Sequence, residues 1–457
     1  MVLRRLGPLK ILAAFAVLVA AIGALSALPP SMRAGIVVAC AILFWSTAVW
    51  PEHITAIAFF LIALLLHIAP PEVIFAGFSS PAFWMVFAGL ILGVVVRSSG
   101  LAERLAMVLT GRAGGSFAMV ATMVVGLGLA LTFVMPSSMG RVVMLVPIAV
   151  SLTEQLGYRP NSKGRTGIIM AAVLGAYLPS GAVLPANLPN IVLAASAEQI
   201  YGVRLSYAAY FISTFPVLGL LKAIVIVGLL TAFYGERPAR AAGAAPARPW
   251  SDQERATAIV LFLSFAFWST DFLHRISPAW IALGAALVCM IPYIGLFPVG
   301  AFNKDLNFVP VIHTAGIIGL GAVVAKTGLG DRLSQGFVLI APFADGAHLQ
   351  NFMLLGLLST LTGLVTTTTG VPAVLTPLAA GLSKASGLPL EAVLMSQTVG
   401  FTNIIFPYEG APIVFAMHAA GLRLAELVKV LVALALITLL VLSPLTFAWW
   451  QFIGYPW

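Results

Sequence analysis

Val134-Met135-Pro136-Ser137-Ser138-Met139-Gly140-Arg141 breaks an apolar run with small polar residues, a proline and a glycine. Val365-Thr366-Thr367-Thr368-Thr369-Gly370-Val371-Pro372 does the same further along the chain. Each leads into a hydrophobic segment holding a second proline, Pro147 before Ile148-Ala149 and Pro377 before Leu378-Ala379. A lipid-exposed helix gains nothing from such a break, because freed backbone N–H and C=O groups are costly in hydrocarbon. Broken segments at matching places in two halves of a membrane chain point to a transporter's binding site.

Composition sets the class. The chain is 61% hydrophobic and 9% charged, whereas about a quarter of a soluble domain is charged. Apolar runs able to cross ~30 Å of hydrocarbon recur from end to end and leave no room for a separate soluble domain. The excess Lys and Arg sit singly in loops, so the expected partner is a lipid bilayer and not nucleic acid. Cys40 and Cys289 lie inside apolar runs without metal-ligand spacing and read as packing residues. No Walker-type loop, metalloprotease motif or Gly-x-Ser-x-Gly occurs, so neither ATP-driven transport nor enzymatic hydrolysis is expected.

Arg4, Arg5 and Lys10 precede the apolar run Ile11 to Leu28. The expectation is an uncleaved first transmembrane helix within 1–34. The first repeat, 35–234, holds spans from Gly35, His53 and Pro81, then an amphipathic surface helix from Leu101 to Arg112. A hairpin near 117–156 follows, then a helix broken at Pro179-Ser180-Gly181 and Pro185-Ala186-Asn187-Leu188-Pro189-Asn190, and a long span from Tyr207 to Tyr234. An Ala/Pro/Arg-rich cytoplasmic linker covers 235–252. The second repeat, 253–457, retraces this order with a hairpin near 349–386 and a break at Pro407-Tyr408-Glu409-Gly410-Ala411-Pro412. Thr327-Gly328-Leu329-Gly330-Asp331-Arg332-Leu333 echoes Ser99-Gly100-Leu101-Ala102-Glu103-Arg104-Leu105. The expected fold is an all-α membrane protein of about eleven transmembrane helices, with two re-entrant hairpins and two broken helices in inverted repeats. The bias of basic residues puts the N-terminus in the cytoplasm and the C-terminus outside, in the inner membrane of a cell.

Trp50 to Ala63, Ser80 to Leu105, Met144 to Ala149 and Ala315 to Leu333, with the two breaks and two interruptions, resemble the divalent anion/sodium symporters of the ion-transporter superfamily, carriers of dicarboxylates and citrate. The resemblance implies a scaffold that forms a homodimer and a transport domain that moves across the membrane. It implies that substrate and Na+, the one coupling ion or cofactor expected, bind where two hairpin tips meet two unwound helices. That family carries Ser-Asn-Thr at each tip; here the positions hold Ser137, Ser138 and Met139, and Thr367, Thr368 and Thr369. Both amides are absent. Hydroxyls can ligate a cation or a carboxylate, but over a shorter reach.

The expected substrate contacts are Ser137, Ser138, Met139, Arg141, Asn187, Asn190, Thr367, Thr368 and Thr369. Ser137, Ser138, Thr366, Thr367, Thr368 and Glu409 are the expected ion-coupling groups. A guanidinium at the depth of Arg141 either meets an oxyanion or is held by carbonyls or a carboxylate that fix the hairpin. Glu409 can carry a proton, pair with Arg141, or serve as a structural carboxylate. Lys222 and Lys429 are read as snorkelling to an interface, and His67 and His313 as satisfied locally. The expected function is secondary active transport of a small anion, dicarboxylate-like or another oxyanion, coupled to an ion gradient. A sodium-independent proton-coupled carrier or exchanger, and a cation/proton antiporter, remain alternatives.

Overall fold

With no water at hand to satisfy its amides, an apolar chain closes its backbone hydrogen bonds inside each segment. Every regular element among the described residues is helical. The structure is a computed structural model describing residues 23–47, 49–101, 116–135, 137–239, 249–330 and 341–455, with Arg104 and Arg332. The start of the first expected span, the amphipathic helix after Leu101, the middle of the linker and the end of the Thr327 phrase lie outside the described residues.

Among the described residues, the first helices longer than ten residues are α1 (Pro30–Thr47), α2 (Glu52–Leu65) and α3 (Pro81–Ser99). A helix pair follows, α4 (Phe117–Val134) and α5 (Ser138–Gln155). Next is an interrupted helix: α6 (Lys163–Tyr177), tight turns at Pro179–Ala182 and Leu184–Ala186, and α7 (Leu188–Tyr201). One long span, α8 (Tyr207–Tyr234), ends this half. The order then recurs. Helices α9 (Asp252–Ser269), α10 (Pro278–Met290) and α11 (Val309–Lys326) lead to a pair, α12 (His348–Val365) and α13 (370–386). Then come α14 (Leu390–Phe401), a break, α15 (Ala411–Ala420) and the long α16 (Leu424–Ile453). Among the described residues, six helices are long and apolar enough to cross a bilayer alone: α3, α4 and α8, then α11, α12 and α16, at matching places in the element order.

Local chemistry sets the helix starts. Pro30, Pro81 and Pro278 stand at first helical positions, where a missing N–H leaves nothing unpaired. The side chains of Ser80, Ser116, Ser137, Ser162 and Ser251 each accept a backbone N–H from the first turn that follows. Ser137 thereby starts α5 immediately after the first tip. Met139 and Arg141 are then helical, and the second arm begins earlier than the apolar run at Val142 suggests.

The helices form two packed groups. In one, α11 lies on α2 and α3, α10 on α3, and α9 on both α3 and α10. In the other, α6 packs on α4, α5 and α8, while α12 packs on α14 and α16. The groups meet where α7 and α13 lie on α11. Two contacts need glycine. A Cβ on Gly128 of α4 would sit 2.6 Å from the Ala176 backbone nitrogen of α6, and one on Gly400 of α14 would sit 2.4 Å from the Ser359 carbonyl carbon of α12. Small residues are what lets membrane helices approach this closely.

Outside the apolar bundle, Arg104 donates to Glu254 at 2.8 Å and to the Pro249 carbonyl at 2.7 Å, and lies 4.7 Å from the Trp250 ring centre. Glu254 also closes a capping box with Ser251. One carboxylate therefore both starts α9 and ties it to the chain just past α3.

Candidate functional site

Arg141 is fully buried. Its Nε donates to the Ala176 carbonyl at 3.0 Å, Nη1 to the Met135 carbonyl, and Nη2 to the Ala186 carbonyl at 3.1 Å. These three oxygens belong to the first tip, the end of α6 and the turn before α7. The guanidinium thus closes the gap between tip and break, and its hydrogen bonds are spent on backbone. Arg141 and Glu409 form no ion pair.

The other first-half candidates sit around this clamp. The Ser138 hydroxyl is 3.4 Å from the Asn187 amide oxygen, joining tip to break. Ser137 is engaged in its cap. The Asn190 amide donates to the Ser180 and Val183 carbonyls at 3.1 and 2.8 Å, so it staples the unwound segment, and its amide oxygen is buried without a partner among the described residues. Met139 is 38% exposed.

The second half builds a tip of hydroxyls. Thr366 donates back to the Thr362 carbonyl at 2.7 Å, and the Thr367 and Thr369 hydroxyls meet at 3.0 Å. The Thr368 backbone N–H donates to the Glu409 carbonyl at 3.0 Å, which binds tip to break. Glu409 accepts from the Ile405 and Phe406 N–H groups at 2.9 and 2.7 Å through one oxygen. Its other oxygen is buried with no partner among the described residues.

Tyr177, which sequence reading passed over, links the halves. Its hydroxyl is 3.0 Å from that of Thr368, and its ring fills the space a Cβ on Gly410 would need. A tyrosine closing an apolar run two residues before Pro179 was the signal available. The breaks also touch directly, since a Cβ on Gly181 would meet the Thr402 methyl.

Three expectations need correction. The second break opens at Thr402, directly after α14, and not at Pro407; the polar pair Thr402-Asn403 ends the helix, although Ile404, Ile405 and Phe406 prolong the apolar run. Lys222 does not snorkel: it is fully buried and its ammonium donates to the Thr402 carbonyl. His313 is not satisfied locally: its ring stands edge-on to Trp45 at 5.3 Å and its Nδ1 is buried without a partner among the described residues. Trp45, His313, Thr366, Thr367, Thr369 and Gly370 line a small cavity between α1, α11 and the second tip. Lys429 lies over the Phe233 ring near the start of α16.

Residues 41–400 match the model of a family described as citrate transporter. A protein of Cupriavidus necator described only as a membrane protein is 23% identical over 72% of this chain and 66% of its own length. The inner membrane protein YbhI of Escherichia coli is 23% identical over 83% of this chain and 82% of its own. An L-tartrate/succinate antiporter of Escherichia coli is 25% identical over a stretch covering 33% of this chain and 32% of its own. Among solved structures, the YdaH transporter of Alcanivorax borkumensis shares the fold, with a TM-score of 0.59 at 20% identity over 84% of this chain and 88% of its own.

Proposed function

The chain belongs to the citrate transporter family, and on that basis we propose that it is a secondary active transporter of small di- or tricarboxylates in a bacterial inner membrane. One observation carries this reading beyond family: both tips and both breaks meet at the end of α6, where Arg141 donates to the Ala176 carbonyl, the Tyr177 hydroxyl lies 3.0 Å from that of Thr368, and the Tyr177 ring packs on Gly410. A carboxylate entering there meets the hydroxyls of Ser138, Thr367, Thr368 and Thr369 and the amide of Asn187. Arg141 contributes its charge to that field while its hydrogen bonds hold the tip in shape. In this proposal α4–α5 and α12–α13 are re-entrant hairpins, the two halves are inverted repeats, and the group carrying the tips moves against α1–α3 and α9–α11 within a homodimer. Transport is coupled to an ion gradient.

The test is exchange in proteoliposomes. Vesicles preloaded with unlabelled citrate, tartrate or succinate should take up the labelled counterpart, and empty vesicles far less. The antiporter name of a relative makes tartrate and succinate the first dicarboxylates to try. Exchange confined to inorganic anions, or passive leak that no carboxylate competes for, would overturn the reading.

A further inference from the structure

Lys222 stands near the middle of α8, ~22 Å along the axis from Tyr207 and ~18 Å from Tyr234 at 1.5 Å per residue, beyond the reach of its four-carbon stem to either end. It follows the π-helical stretch Phe215–Leu221, a distortion that recurs at functional sites. The position after the matching stretch in α16 is Ser443, so the lysine belongs to one half only. Its Nζ donates to the Thr402 carbonyl and lies 3.4 Å from the Thr402 hydroxyl. Thr402 caps the C-terminal end of α14, where the backbone unwinds.

A carbonyl at the end of a half-helix, beside unwound backbone, is where a transporter of this architecture seats a cation. Among the described residues no carboxylate pairs with the ammonium. On the elements packed around it, Tyr210 donates to the Gly181 carbonyl and Tyr207 of the same helix has its N–H on Asp271. Tyr177 is engaged with Thr368, and Glu409 with the Ile405 and Phe406 N–H groups. Lys163 and Arg165 open α6, Glu426 and Lys429 the start of α16, and Glu391 the far end of α14; Tyr408 donates to the Leu364 carbonyl. Neither α4 nor the turn Pro179–Ala182 carries a titratable side chain.

We propose that the Lys222 ammonium is a built-in cation at the second break, filling the seat of a free coupling cation. It takes one proton from the outer water as the seat closes and releases that proton to the inner water when the seat opens inward, so one proton crosses with the carboxylate in each cycle without sodium. A permanent ammonium held on one carbonyl is expensive in an apolar bundle, and one that discharges on opening inward avoids dragging that charge through the return movement. The inference rests on the transporter reading above and names the coupling group of that site.

Wild type, Lys222→Gln and Lys222→Arg are compared in proteoliposomes, with membrane potential clamped, in sodium-free and sodium-containing buffers. Carboxylate exchange without a gradient tests the transporter reading; its absence in wild type sinks both proposals. With an inward gradient of about one pH unit, single-proton coupling supports about tenfold accumulation, equal in both buffers. Lys222→Gln should still exchange but accumulate no further than equilibrium. Lys222→Arg keeps a donor for Thr402 but cannot release its proton, and should lose accumulation equally. Accumulation at the wild-type level in either variant, or wild-type accumulation that requires sodium, would overturn the assignment.

Discussion

Arg141, Glu409 and Tyr177 divide the work of the site by the kind of hydrogen bond each can make. Only a planar fork reaches the Met135, Ala176 and Ala186 carbonyls together. Arg141→Lys is therefore expected to lose roughly 1.5–3 kcal/mol of stability, read as a lower unfolding temperature in detergent with or without carboxylate. Glu409 holds two backbone N–H groups through one oxygen. Glu409→Gln preserves that acceptor and should unfold close to wild type, whereas Glu409→Ala leaves two donors unmet and should cost roughly 2–4 kcal/mol. Equal losses in the two variants would show that charge, not acceptance, is what the break needs. Tyr177→Phe deletes one link between halves, about 1 kcal/mol. Its expected signature is slower carboxylate exchange with little change in unfolding temperature.

Among elements, the informative contacts are those that let tip-bearing helices lie close to the interrupted ones. Gly400 admits the Ser359 backbone, so Gly400→Val should push α12 from α14 at a cost of at least 1–3 kcal/mol, approximately. Purified variant that elutes as aggregate, or melts well below wild type, is the expected outcome. At the polar edge, Glu254 serves both the capping box and Arg104. Glu254→Ala leaves a largely buried guanidinium without its carboxylate and should cost roughly 3–5 kcal/mol, measurable by the same melting experiment. The glycines and the capping serine are plain in the sequence. Which helix each glycine admits is not, because close approach is a property of two segments distant in the chain.

For the whole molecule, the proposed movement of one helix group against the other makes a direct prediction. Val192, Ile317 and Ala373 pack together where α7 and α13 meet α11. With Cys40 and Cys289 replaced, Ile317→Cys paired with Ala373→Cys should allow a thiol cross-link across that boundary. Cross-linked protein should keep carboxylate-dependent thermal stabilisation and lose exchange, both restored by reduction. Undiminished exchange in fully cross-linked protein would refute sliding at this boundary.

Hydropathy alone determined that this chain lies in a bilayer and is helical, because a membrane leaves backbone amides no other partner. The two tips and the first break were equally legible, since Pro, Gly and hydroxyl residues clustered inside an apolar run unwind the helix where lipid would penalise unwinding. Tertiary structure decided what those features touch. Arg141 was visible as a buried cation, but its carbonyl partners come from three separate segments. Tyr177 and Thr368 stand 191 residues apart, and Lys222 and Thr402 stand 180 apart. No local pattern encodes such pairs: a lysine in an apolar helix looks the same whether it reaches for water or for the end of another helix. The folded bundle chose the helix end by holding Lys222 too deep for its stem to escape.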